Sequence, residues 1–228
     1  MLVRDCMQRD VITVKPDDTL SYALGLTREH RVRHLPVVLS NGDLVGILSD
    51  RDIRLAMPSP LTTPDAERTD FLERTAVAAV MSREVVTVAP LETLEDAAKL
   101  LYRHRIGSLP IVDEHRRLCG ILTETDILHA LVRILGVTQP SSRIEVRLED
   151  RPGELARALT RISELARLNV VSVLVPSFPN EGTKTAILHL DTIDPREAIE
   201  ALEGAGYPVG WPSFAADHRT NAEVRGGG

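Results

Sequence analysis

Residues 3–57 read VRDCMQRDVITVKPDDTLSYALGLTREHRVRHLPVVLSNGDLVGILSDRDIRLAM, and residues 77–131 read VAAVMSREVVTVAPLETLEDAAKLLYRHRIGSLPIVDEHRRLCGILTETDILHAL. The two stretches align without a gap. About 23 of some 55 pairs are identical, far above chance for a repeat of this length. Two small copies in series, at 1–57 and 77–136, therefore replace the single long domain that 228 residues might suggest.

Each copy has the same grammar. Val11 to Val14 and Val85 to Val88 are β-branched runs closed by Pro16 and Pro90, which donate nothing to a ladder, and they predict short strands. Thr19 and Thr93 stand at helix N-cap positions, and Leu94, Ala97, Ala98 and Leu101 lay one apolar stripe on a 3.6-residue period. Strands at 35–39 and 44–48, and again at 109–112 and 118–122, flank polar turns and predict hairpins. A last helix opens at Ser49 or Thr123. The order is β-α-β-β-α, twice.

Between the copies, at 58–76, Pro58, Pro60 and Pro64 break structure before Thr63-Pro64-Asp65 starts a connector helix. A second boundary of breaker residues lies at 136–142. Residues 143–212 change pattern: an alternating strand at 143–148, a helix opened by Asp150-Arg151-Pro152-Gly153, strands at 169–176 and 183–190 around a turn at 179–182, a helix at 195–202 and a short strand at 207–211. That β-α-β-β-α-β order is the split βαβ, ferredoxin-like pattern, so the fold class is α+β. The tail at 213–228 has too few apolar residues to pack and is expected to be disordered.

Composition excludes several classes. With 33 acidic residues against 27 Lys and Arg, net charge −6 and 3% aromatic residues, the chain offers neither the basic face nor the stacking platforms of a nucleic-acid binder. No apolar run approaches the roughly 20 residues of a membrane span, and residues 1–10 lack a signal-peptide core, so a cytoplasmic protein is expected. Cys6 and Cys119 form neither a disulfide framework nor a metal quartet, and the seven histidines show no ligand spacing, so no metal is expected. His30-Arg31 and His104-Arg105 recur at helix ends, where cations suit the dipole. No nucleophile elbow or phosphate loop is present, and no catalytic residue or catalytic cofactor is expected.

One constellation occurs twice: Gly46-Ile47-Leu48-Ser49-Asp50-Arg51-Asp52-Ile53 and Gly120-Ile121-Leu122-Thr123-Glu124-Thr125-Asp126-Ile127. A hydroxyl residue ends a strand and starts a helix, and a carboxylate follows one turn later. As a capping box it merely closes the helix end. As a ligand site it brings helix N–H groups and a hydroxyl to a phosphate, and a carboxylate to the two hydroxyls of a ribose. Recurrence at matching positions, beside His34-Leu35-Pro36 and Ser108-Leu109-Pro110, favours the ligand.

With Met7 and Val11 to Val14, His34 to Val38 and Gly46 to Ile53 each recurring in the second copy, the first 135 residues resemble a pair of CBS domains, the Bateman module. The resemblance implies clefts for adenosine-containing ligands: AMP, ADP, ATP or S-adenosylmethionine. It implies ribose contacts from Asp52 and Asp126, phosphate contacts from Ser49 and Thr123, and adenine against Thr13, Val14, Thr87 and Val88 together with Arg33, His34, Gly107 and Ser108. Bulky Arg33-His34 opposes small Gly107-Ser108 in the other copy, so unequal ligand preferences are expected.

Asp150-Arg151-Pro152-Gly153 with Leu155, and Asn169-Val170-Val171, make 143–212 similar to an ACT domain. Such domains pair side by side and many hold an amino-acid-like effector at the junction, which implicates Asp150, Arg151, Pro152, Gly153 and Asn169; the Pro-Gly turn serves the backbone whether or not a ligand binds. The domain order resembles the acetoin-utilisation family of regulatory proteins. Together these likenesses imply a homodimeric sensor that adjusts an unknown regulated protein and acts on neither nucleic acid nor membrane.

Overall fold

The computed structural model describes residues 1–136, 140–176, 182–211 and 213. Contacts divide the chain into two units, Met1–Leu128 and His129–Gly228.

In the first copy α1 (Leu20–Glu29) precedes an antiparallel hairpin of β1 (His34–Val38) and β2 (Leu44–Ser49), and α2 (Asp50–Ala56) follows. The connector contains α3 (Asp65–Arg74), and the second copy repeats the plan with α4 (Leu94–His104), β3 (Ser108–Val112), β4 (Leu118–Thr123) and α5 (Glu124–Leu135), inside which the boundary between units falls. The expected caps form: Thr19 Oγ1 accepts from Tyr22 N at 3.2 Å and Thr93 Oγ1 from Asp96 N at 3.1 Å.

The strands expected at 11–14 and 85–88 shrink to single parallel bridges, Val14 to Val37 and Val88 to Ile111. The cause is covalent. Val14 donates to Pro36 O and accepts from Val38 N, so the next rung upstream needs an N–H at residue 36, and proline has none. Pro110 blocks the second copy in the same way.

What neither copy's local pattern indicates is an exchange of leading segments. Met1 O, Val3 N and Arg4 N bond to Leu94 N, Glu92 O and Pro90 O of the second copy. In mirror image, Thr75 O, Val77 N and Ala78 N bond to Leu20 N, Asp18 O and Pro16 O of the first. Val77 and Met81 accordingly lie in the first copy's core, with Val14, Leu20, Leu35, Leu48 and Ile53.

In the second unit β5 (Ser142–Glu149), α6 (Glu154–Arg161), β6 (Val170–Leu174), β7 (Thr183–Leu190), α7 (Arg196–Glu203) and β8 (Val209–Gly210) form an antiparallel sheet of order β6-β7-β5-β8, the topology of a split βαβ. The alternation of β5 sends Ile144, Val146 and Leu148 into a core with Ala158, Ile162, Leu188 and Leu202. The helix begun by α6 continues as a π turn through Ile162–Ala166 and stops at Arg167, which takes φ 52°. The strand expected at 207–211 contracts to two residues. The expected turn at 179–182 and tail at 213–228 lie, except for Gly182 and Ser213, outside the described residues. No helix among the described residues is long and apolar enough to cross a membrane.

Candidate ligand site of the paired copies

Both repeated constellations fold as closed capping boxes. Asp52 Oδ2 accepts from Ser49 N at 2.9 Å and Ser49 Oγ at 2.6 Å, while Ser49 Oγ accepts from Asp52 N at 3.1 Å. In the second copy Asp126 Oδ2 accepts from Thr123 N at 2.8 Å and Thr123 Oγ1 at 2.7 Å, and Asp126 N donates to Thr123 Oγ1 at 3.3 Å. The box and a ligand therefore do not exclude each other. One carboxylate oxygen closes the helix end and the other takes no part in the box. A phosphate at Ser49 or Thr123 would have to draw the hydroxyl proton away from that first oxygen.

These other oxygens differ. No side chain among the described residues hydrogen-bonds Oδ1 of half-buried Asp52. Asp126, only 8% exposed, has Oδ1 occupied by the Gln8 side-chain amide at 3.0 Å.

The residues leading into the two hairpins meet one another. A methyl group on Gly107 would lie 3.0 Å from His34 Cε1 and 3.8 Å from Glu124 Oε2, so His34 of the first copy packs against the backbone of the second. Antiparallel register sets His34 opposite Ser49 and Ser108 opposite Thr123, each pair on one face of its hairpin. Arg33 O and Gly107 O accept the first helix amides, from Asp50 N at 2.9 Å and Glu124 N at 3.2 Å. Burial lowers the His34 pKa below its ordinary value, against the opposing pull of Asp50 and Asp52, with Arg33 adding to the lowering and Glu124 resisting it. Its imidazole is held toward the neutral form. Ser108 is 3% exposed and its hydroxyl has no hydrogen-bond partner among the described residues.

Val14 and Val88 turn their side chains into the core, so they present only a wall; half-buried Thr13 and Thr87 keep the polar groups on that edge. Glu124 stands inside the repeated constellation, whereas Gln8 lies outside it. A signal for Gln8 exists in the alignment, where it stands opposite Ser82.

In the second unit the expected effector residues do not converge within one chain. Asp150 follows β5, paired to Lys184 at 2.6 Å, and Gly153 takes φ +86° at the start of α6, a conformation that favours glycine. Arg151 pairs with Glu149, and Arg151, Pro152 and Gly153 are exposed. Asn169, whose carbonyl accepts from Asp191 N, lies at the other end of the sheet, about 25 Å away along an eight-residue strand. A cleft of about 850 Å³ lies beside the Asp150 end, lined by residues that include Arg147, Arg151, Arg157, Arg161 and Tyr207.

Similarity to known proteins covers the paired copies and in two relatives extends well beyond them. A CBS domain-containing protein of Dictyostelium discoideum is 35% identical over 143 residues, 62% of this chain and 99% of its own length. The inosine-5′-monophosphate dehydrogenase of Korarchaeum cryptofilum is 28% identical over 213 residues, 89% of this chain, which spans less than half (42%) of that relative. Among solved structures, a putative acetoin utilization protein (AcuB) from Vibrio cholerae has a TM-score of 0.51 and 31% identity, covering 60% of this chain and 95% of that one. CBSX2 in complex with AMP has a TM-score of 0.50 and 31% identity, covering 58% and 97%. The CBS domain model matches residues 3–59 and 77–133, half of the chain in two blocks that coincide with the internal repeat, and the chain therefore belongs to the CBS domain family.

Proposed function

We propose that the paired CBS copies sense an adenosine-containing ligand, AMP, ADP, ATP or S-adenosylmethionine, and that the chain is a cytoplasmic regulatory protein without catalysis of its own. The observation that carries this is Oδ1 of Asp52, an acceptor that no side chain among the described residues bonds, on a carboxylate fixed by its box. Such an oxygen suits a ribose diol, because both hydroxyls donate and a carboxylate only accepts. Asp126 is its counterpart. Ser49 and Thr123 take the phosphate side, and Thr13, Val14, Arg33, His34, Thr87, Val88, Gly107 and Ser108 the base. The partnerless Ser108 hydroxyl supports this reading, since a buried unmade hydrogen bond costs about 1–3 kcal/mol and a ligand atom could supply it. The AMP complex of CBSX2 supports an adenine nucleotide.

The second unit acts as an ACT domain. It joins two chains into a homodimer, with an amino-acid-like effector at Asp150, Arg151, Pro152 and Gly153 of one chain and Asn169 of the other. The in-chain separation of those residues supports a junction site. The regulated protein is recognised by the liganded or unliganded pair.

A second reading has its own observation: both boxes are closed, so both aspartates already have a structural task and the module could serve assembly alone. Calorimetric titration with the four ligands decides. Saturable binding that Asp52→Asn weakens supports the sensor; no heat from any of them leaves the assembly role.

A further inference from the structure

The two leading segments cross the opposite hairpins with the same backbone geometry. Gln8 exchanges two hydrogen bonds of 2.9 Å with Ile121, and Ser82 exchanges two of 2.9 Å with Ile47. Met7 packs on Gly120 and Met81 on Gly46, where an added methyl would lie 2.8 Å and 2.6 Å from the sulfur. Only the side chain at the crossing differs in reach. Gln8 Nε2 extends to Asp126 Oδ1 at 3.0 Å, whereas the short Ser82 side chain makes no such bond to Asp52. With Oδ2 engaged by Thr123, the Gln8 amide holds the one oxygen of Asp126 that a ligand would use.

We propose that Gln8 is an internal latch on the second ribose site, a deduction that rests on the ligand reading above. An amide N–H and a ribose O–H are both donors, so the latch imitates the ligand and must leave before a diol can bind. At Asp52 the diol gains two bonds to an open carboxylate. At Asp126 it gains two and breaks one. One charge-assisted bond corresponds to roughly tenfold or more in affinity. The Asp52 site therefore fills first. A ligand with one hydroxyl merely exchanges one bond for another at Asp126, so that site requires the intact diol while the Asp52 site tolerates a 2′-deoxy ligand. Filling the second site releases the Gln8 side chain, while the backbone bonds of Met1, Val3, Arg4 and Gln8 keep the leading segment on the second copy.

The test titrates the full-length chain with AMP and 2′-deoxy-AMP, using Asp52→Asn to isolate the second site and Asp126→Asn to isolate the first. Gln8→Ser copies the side chain that the first site already tolerates. It is expected to tighten AMP at the second site roughly tenfold and to admit 2′-deoxy-AMP there, while Ser82→Gln weakens the first site by a similar factor. A second site that Gln8→Ser leaves unchanged overturns the latch, and one that it weakens makes Gln8 a ligand contact instead. If neither nucleotide binds wild type or any variant, the ligand reading itself fails and the latch with it.

Discussion

In the first copy Asp52 keeps an oxygen clear, imidazole His34 lies across the hairpin from Ser49, and Ser82 stands at the crossing. In the second, Asp126 is bonded by Gln8, and Ser108 takes the position of the histidine with its hydroxyl unsatisfied. The surrounding backbone is the same in both, down to the proline that stops the bridge, the box that closes the helix and the residue pairing of the hairpins. Backbone geometry is thus held by hydrogen bonds and steric limits shared by the copies, while a few side chains at the pocket, free of those duties, differ. Unequal sites need no unequal fold.

The largest effect expected is on ligand affinity. Asparagine can set its carbonyl where Oδ2 closes the box and so keep the helix, but its NH2 then faces the ribose donors. Asp52→Asn and Asp126→Asn should each weaken one site by about ten- to a hundredfold, and together abolish binding, with little change in the ligand-free melting temperature. Titration calorimetry beside a thermal melt checks both halves. If the double variant binds AMP as wild type does, neither carboxylate holds the ribose.

Next come Gly46→Ala and Gly120→Ala. The added methyl would meet methionine sulfur at 2.6 Å and 2.8 Å and a backbone carbonyl at 3.1 Å in each copy. Each should cost about 1–3 kcal/mol by overpacking, and denaturant unfolding should give nearly equal values. A marked inequality would show that the crossings are supported differently.

A smaller, one-sided effect concerns pH. The folded pKa of His34 lies below the unfolded value near 6.5, so the unfolded chain binds more protons in that window. Stability is full above about pH 6.5 and falls as pH drops through the interval to the folded pKa. His189, lowered by burial and by Arg143, acts in the same direction. His34→Gln should shrink the acid loss without removing it, and unfolding midpoints between pH 8 and pH 5 measure it; an unaltered slope would remove His34 from the contrast.

The smallest effect is again symmetric. Arg31 and Arg105 take left-handed φ of 54° and 53° after α1 and α4. Glycine adopts that conformation without the side-chain clash, so Arg31→Gly and Arg105→Gly should each stabilise by up to about 1 kcal/mol in a thermal melt. A loss at either would show that its side chain does something the other's does not.

Local chemistry is legible in the sequence. The hairpins, the threonine caps, the two boxes and the β-α-β-β-α-β order of the second unit follow from turn residues, periodicity and hydroxyl-to-carboxylate spacing. Features that join distant segments are not. Gln8 meets Asp126 across 118 positions, and nothing in the residues around either announces the other. The β-branched composition at 11–14 and 85–88 suggests strands longer than the single bridges that form, because composition carries no sign of the N–H that Pro36 and Pro110 lack. Asn169 and Asp150, which the resemblance groups at one junction, are separated within the chain by the length of the sheet.

The exchanged leading turns bear on how such a chain arises. A lone copy lacks the turn that completes its core, because Val77 and Met81, which belong to the core of the first, come from the segment ahead of the second. A single copy without its neighbour would have to fill that place with its own leading turn or with one lent by another molecule. Joining both copies in one chain places the missing piece at an effective concentration in the millimolar range, so assembly no longer depends on abundance. Once joined, the copies no longer need to be interchangeable, and a residue such as Gln8 can change on one side alone.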